Sequence, residues 1–123
     1  MRYFFGVLCS IFLFVNCHKS NSQEIQQVTT KELKVLLEKG KIQLLDVRTP
    51  EEISEGYIET AIFANYFDDN FAEIASKKLS KEFPVYLICR SGNRSGKSAK
   101  ILKEKGYNVY NVVGGFNQWK KEN

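Results

Sequence analysis

The sequence predicts one α/β domain, with a mainly parallel sheet covered by helices on both faces. Three observations lead there. The 123 residues, 43% of them hydrophobic, are enough for a single core and too few for two. Short apolar runs alternate with amphipathic helical patterns across residues 28–123. No internal repeat or low-complexity tract interrupts that alternation. Strands separated by helices need crossover connections, and right-handed crossovers place helices on the two faces of a parallel sheet.

The first residues stand outside this pattern. In "MRYFFGVLCSIFLFVNC" a single basic residue, Arg2, precedes an uncharged apolar run of 13 residues from Tyr3 to Val15. A membrane-spanning helix needs about 20 apolar residues, whereas the apolar core of an export signal is shorter. Residues 1–16 are therefore expected to be a signal peptide. "FVNC" followed by the polar "HKSNSQEIQQ" resembles a bacterial lipoprotein signal with Cys17 as the acylated residue; ordinary secretion and an uncleaved anchor are the other readings. Several acyl chains on Cys17 would hold the chain stably to a membrane, with residues 17–27 as a flexible tether and 28–123 as the domain. The expected location is the cell envelope, periplasm-facing or at the outer membrane.

Each element of the domain has its own signal. "TTKELKVLLEKG" opens with Thr29 and Glu32 in capping-box spacing, carries Leu33, Leu36 and Leu37 on one face, and stops at Gly40, which predicts a helix. "IQLLDV" reads as a strand through Asp46, and Pro50 suits the first turn of a short helix over residues 50–55. "AIFANY" reads as a second strand. "FAEIASKKL" spaces Phe71, Ile74, Ala75 and Leu79 for a helix, and Pro84 introduces the strand "VYLIC". "SGKSAKILKEKG" then has Ser95 as its expected N-cap and Gly106 as its stop, and "NVYNVV" supplies a last strand. Gly114 and Gly115 are expected to turn the chain into a terminal helix packed through Phe116 and Trp119. Tyr57 is read as a packing residue.

Cysteine usage points to the chemistry. Once Cys9 leaves with the signal and Cys17 is lipidated, Cys89 is the only free thiol of the domain. An isolated cysteine ending an apolar strand is most often a small buried hydrophobe. The next residues argue against that here: Arg90, Ser91, Gly92, Asn93, Arg94 and Ser95 suit a tight loop whose backbone N–H groups turn inward as an anion nest. Strand ends of open α/β sheets are also where ligands bind. The N–H groups, a helix N-terminus and two guanidiniums all favour a thiolate, so Cys89 is expected to ionise below the usual ~8.5. The only histidine, His18, lies in the tether, which excludes a Cys–His dyad and the usual His/Cys zinc site in the domain.

Three blocks, "LLDVRTPEEISEGYIETAI", "VYLICRSGNRS" and "VVGGFNQWKK", resemble in order and spacing a single-domain rhodanese, a sulfurtransferase, over essentially all of residues 28–123. The resemblance implies a rhodanese-like three-layer fold with a five-stranded, mainly parallel sheet, and a six-residue loop from Cys89 to Arg94 wrapped around the sulfur. It departs from the family at "GYIETA", where Tyr57, Glu59 and Thr60 replace the usual His, Pro and Gly. Related phosphatases and arsenate reductases use a longer Cys-x5-Arg loop; here Arg94 stands at Cys-x4, and Ser95 occupies the place of the Cys-x5 arginine. Catalysis is thus expected at Cys89, with Arg90, Ser91, Gly92, Asn93, Arg94 and Ser95 binding the substrate. The expected partners are a small anionic sulfur donor such as thiosulfate, a thiol or cyanide acceptor or a protein thiol, and the membrane through the lipid anchor. No cofactor and no metal are expected, and the domain is expected to act as a monomer. A carrier module relaying sulfur to a partner is the alternative, and a phosphatase or arsenate reductase a weaker one.

Charge narrows the partners. Without residues 1–16 the chain has 17 basic against 14 acidic residues, a net +3, and the lysines are scattered with no basic stripe among aromatics, so nucleic acid is not an expected partner. Asp46 and Arg48 are read as a structural ion pair rather than an acid–base pair.

Overall fold

The computed structural model describes residues 24–123. The expected signal peptide, the acylation at Cys17 and most of the expected tether lie outside the described residues. Five strands, β1 (Gln26–Val28), β2 (Gln43–Asp46), β3 (Ile62–Phe63), β4 (Val85–Ile88) and β5 (Val109–Val112), alternate with five helices: α1 (Thr30–Lys39), α2 (Pro50–Ser54), α3 (Phe71–Lys78), α4 (Asn93–Glu104) and α5 (Gly115–Glu122). The sheet is parallel throughout, in the order β1-β5-β4-β2-β3. The five-stranded α/β architecture is as expected. Among the described residues no helix is long and apolar enough to cross a membrane.

Parity along the strands sorts the core into two clusters. On β4, Val85 and Leu87 face one side with Leu45, Phe71, Ala75, Ala99 and Leu102, while Tyr86 and Ile88 face the other with Leu33, Leu44, Val112 and Phe116. Every residue of β4 is buried, as a central parallel strand covered on both faces requires. Cys89 continues the odd-numbered series, so its side chain falls on the α4 side of the sheet. On β5, Val109 belongs to the same cluster, and Asn111, two residues on and in register with Leu87, shares its face. Sheet parity therefore brings Cys89 and Asn111 to the side that α4 covers.

Local chemistry sets the boundaries. The Thr29 hydroxyl accepts the Glu32 N–H at 3.0 Å and the Glu32 carboxylate accepts the Thr29 N–H at 2.8 Å, so the predicted capping box of α1 is present. Thr49 and Glu52 form a second box at the start of α2, with Pro50 in its first turn. Two elements differ from expectation. The sheet gains β1, at 26–28, which starts inside the segment expected to be tether and ends on the first residue of the expected domain: an edge strand exposed at its two glutamines needs only its backbone to pair with β5. β3 spans two residues, because the Asn65 side chain accepts the Phe67 N–H at 3.0 Å and turns the chain out of the sheet.

Candidate active site

The loop after β4 closes around the Cys89 sulfur. The Gly92 N–H donates to Sγ at 3.0 Å, and the Ser95 hydroxyl lies 3.3 Å from it. The N–H groups of Ser91 and Ser95 also act on the sulfur. Gly92 has φ +112°, a conformation that side-chain-bearing residues rarely adopt, and it lets the chain enter α4 immediately afterwards. This corrects the expected start of that helix: Ser95 is not its N-cap. The glycine turn starts α4 at Asn93, so Ser95 lies within its first turn with its side chain wholly buried against the cysteine rather than capping. The positive end of α4 therefore lies at the sulfur, and the first-turn N–H of Ser95 favours its ionised form.

α5 holds the loop from outside. The Phe116 and Asn117 N–H groups donate to the carbonyls of Cys89 (2.8 Å) and Arg90 (3.0 Å). A peptide unit points its C=O and its N–H in opposite directions, so carbonyls drawn toward α5 leave the next N–H facing the other way. That of Ser91 helps to lower the Cys89 pKa. Such close approach requires a glycine at 115, where a Cβ would come within 2.5 Å of the Arg90 carbonyl oxygen. The Asn111 amide completes the support: Nδ2 donates to the Gly92 carbonyl at 3.2 Å, and Oδ1 accepts from the Ser95 hydroxyl at 2.6 Å.

Burial and hydrogen bonding act in opposite senses on the thiol. Cys89 is 1% exposed, and loss of solvent alone pushes its pKa up. Hydrogen bonds from the Ser95 side chain and the Ser95, Gly92 and Ser91 N–H groups outweigh that, leaving the pKa below the ordinary thiol value. The sulfur is thus backed by core on one side and by donors on the other.

The sequence-derived residues do not all converge. Cys89, Ser91, Gly92 and Ser95 do. Asn93 is exposed, and so is Arg90, which lines a shallow pocket with Glu55, Asn117 and Lys120. Arg94 is held by both carboxylate oxygens of Glu52, at 2.8 Å each, with its guanidinium 5.4 Å from the Phe67 ring centroid. The hydrogen bonds of Arg94 first of all lower the Glu52 pKa from 4.5 to about 2. Asp46 and Arg48 form a buried pair at 2.8 Å, and Arg48 also donates to the Gly56 carbonyl and stacks on Phe116 at 4.2 Å. Tyr57 is 52% exposed and meets Phe63 edge-on, so it is not the packing residue it was expected to be. Three supporting residues escaped the sequence reading: Asn111, Glu52 and the particular use of Gly115. Only Glu52 left a signal, its capping-box spacing from Thr49.

Comparison with known proteins matches residues 29–122 to the family described as "Rhodanese-like domain". The Bacillus subtilis protein YtwF is 36% identical over 100 residues, covering 80% of this chain and 94% of its own length. Thiosulfate sulfurtransferase GlpE of Coxiella burnetii is 32% identical over 96 residues, covering 77% and 87%. Among solved structures, a rhodanese-like domain protein from Staphylococcus aureus superposes with a TM-score of 0.70 at 35% identity, covering 77% of this chain and 91% of that one.

Proposed function

The chain belongs to the rhodanese-like domain family, and from that premise we propose that it is a sulfurtransferase carrying a sulfane sulfur as a persulfide on Cys89. The observation that carries this reading is one buried sulfur that accepts the Gly92 N–H at 3.0 Å and lies 3.3 Å from the Ser95 hydroxyl at the start of α4. Fixed donors at a water-poor site hold negative charge without reorganising during the reaction.

In the first half-reaction the Cys89 thiolate attacks the outer sulfur of thiosulfate. The new S–S bond forms as the bond to the sulfonate breaks, and sulfite departs with that electron pair. No proton is transferred, which fits a domain without histidine. A persulfide donor reacts in the same way and releases its thiolate. Cys89 then bears S–S⁻, whose charge the Arg90-to-Ser95 loop stabilises; attack on the outer sulfur by cyanide or a thiol returns the thiolate. Arg90, exposed and beside Lys120, is placed to draw the anionic donor. Arg94, neutralised by Glu52, contributes through the loop's shape more than through free charge.

Incubation of the chain with thiosulfate should add one sulfur atom to its mass, located on the Cys89 peptide. An unmodified wild type, or an equal adduct on Cys89→Ser, would refute the reading. A second reading, a carrier that discharges only to a partner protein, draws support from Phe67, 63% exposed beside Arg94, as an apolar contact next to the loop. Rapid thiocyanate production with cyanide would count against that carrier. We also propose a lipid anchor at Cys17: labelled fatty acid should enter the wild type and not Cys17→Ser, and equal labelling of the two would remove the anchor.

A further inference from the structure

Ser95 has one hydroxyl proton and two acceptors within reach. Its Oγ lies 2.6 Å from Asn111 Oδ1 and 3.3 Å from Cys89 Sγ, and a hydroxyl donates only once. The amide orientation is not free to change. Nδ2 donates to the Gly92 carbonyl at 3.2 Å, and turning the amide over would set Oδ1 against that carbonyl oxygen. All three side chains are buried, with Ser95 at 0%, Asn111 at 5% and Cys89 at 1% exposure. Burial strengthens each of these hydrogen bonds, and Asn111 also borders the open cavity beside Gly92, Lys97 and Lys100.

We infer that Asn111 is a positioning residue that draws the Ser95 proton away from Cys89 and so sets how strongly the loop holds the thiolate. With its proton on Asn111, the Ser95 oxygen turns a lone pair toward the sulfur, an arrangement suited to accepting the S–H of the neutral thiol. The thiolate gains the Ser95 proton only when the shorter, 2.6 Å bond is given up. Asn111 thereby keeps the sulfur more basic than the loop alone would make it. Basicity has a use, because thiolate nucleophilicity falls as pKa falls. After sulfur transfer the negative charge sits on the outer atom, and the Ser95–Asn111 bond is then unopposed.

Other charges around the sulfur are fixed by other partners. Arg94 on α4 is paired with Glu52 of α2, and Asp46 at the end of β2 with Arg48. Arg90 in the loop points to solvent, β5 brings no charged side chain, and those of α5 begin at Lys120. On the open side of Asn111, Lys97 and Lys100 of α4 and Glu24 line the same surface cavity as Asn111 and Gly92, and the Asn111 substitutions leave all of these charges in place.

The inference deepens the sulfur-transfer reading and rests on it for its purpose, but its test reads thiol ionisation and can fail separately. The rate of iodoacetamide alkylation is followed across pH on the intact chain, scored on the Cys89 peptide so that Cys9 and Cys17 do not contribute. Ser95→Ala removes both the donor and the acceptor at the sulfur and is expected to shift the apparent pKa less than the Asn111 substitutions do. Asn111→Ala and the near-isosteric Asn111→Leu are expected to lower it by about one unit, a hydrogen bond to a charged group having been gained. Their high-pH plateau rates should fall about threefold, following a Brønsted slope of ~0.4–0.5. In the Ser95→Ala background the Asn111 substitutions should give no downward shift.

A merely structural role predicts the opposite sign, because a loosened loop weakens the N–H bonds to sulfur and raises the pKa. Asn111 variants that raise the pKa, leave it unchanged, or lower it equally without the Ser95 hydroxyl would overturn the inference. Asn111→Leu keeps the test open if Asn111→Ala does not fold. Thiosulfate loading of the same samples reports on sulfur transfer by itself: loading with no pKa change sinks the inference alone, and a pKa change with no loading sinks the transfer reading alone.

Discussion

The Arg48–Asp46 and Arg94–Glu52 pairs share a closest approach of 2.8 Å, yet they belong to different parts of the molecule's working. Arg48 and Asp46 are two residues apart in sequence and almost sealed, with side chains 4% and 1% exposed. Their polar atoms are satisfied within the scaffold: the guanidinium bonds both carboxylate oxygens and the Gly56 carbonyl, and its face rests on Phe116. Arg94 and Glu52 lie 42 residues apart, remain 17% and 23% exposed, and join α2 to the first turn of α4 at the sulfur-binding loop. The first pair locks the end of β2 against α5. The second fixes the loop that would meet the proposed sulfur donor, and leaves it in contact with solvent. Burial, not distance, sets what each loss costs.

Removing half of the sealed pair has the larger expected effect. Asp46→Ala strands the Arg48 charge in a site with almost no water, a change that costs about 3–5 kcal/mol. Urea unfolding near neutral pH should show it as a lower midpoint with little change in slope. If Asp46→Ala costs no more than loss of the Glu52 carboxylate, the distinction between the two pairs is wrong.

Where the sequence was informative follows the same division between local and distant causes. The α1 capping box and the buried β4 run are local patterns, and each appears in the structure where it was read; the turn after Cys89 is present but ends at Gly92, with Asn93 and Arg94 already in α4. β1 left no pattern: Gln26 and Gln27 are polar because the strand sits at an exposed sheet edge, and its pairing with β5 joins residues more than eighty positions apart. Ser95 was misread because serine is a favoured N-cap, whereas the positive φ of Gly92 starts the helix earlier and buries the serine against the sulfur. Asn111 was invisible as a single amide in an apolar strand, since its partners Ser95 and Gly92 lie across the sheet-to-helix interface. Tyr57 failed for the reverse reason: an aromatic ring promises burial, but here it contributes to an exposed edge-on contact.

The smaller effect, loss of the partly exposed pair, can be separated from the larger by its pH dependence. Glu52 has a folded-state pKa of about 2 against an ordinary 4.5, chiefly because Arg94 hydrogen-bonds its charged form. A depressed carboxylate pKa stabilises the fold wherever the unfolded chain would also be ionised, above about 4.5, and that contribution is lost as pH falls from there toward 2. The displacement alone corresponds to ~3 kcal/mol, and solvent screening of a pair with this exposure reduces it to about 1–2 kcal/mol. Glu52→Gln should therefore lie below wild type by about that amount at neutral pH, and the two stability curves should converge as the acid range is entered. Parallel curves would show that the Arg94–Glu52 pair contributes no pH-dependent stability. The same substitution frees the Arg94 guanidinium beside the proposed anion-binding site, so with thiosulfate as the proposed donor its KM should fall by about two- to fivefold, as expected for one screened charge at a rim. A KM that rises instead would mean that the loop's shape, held by Glu52, matters more to donor binding than the charge it conceals.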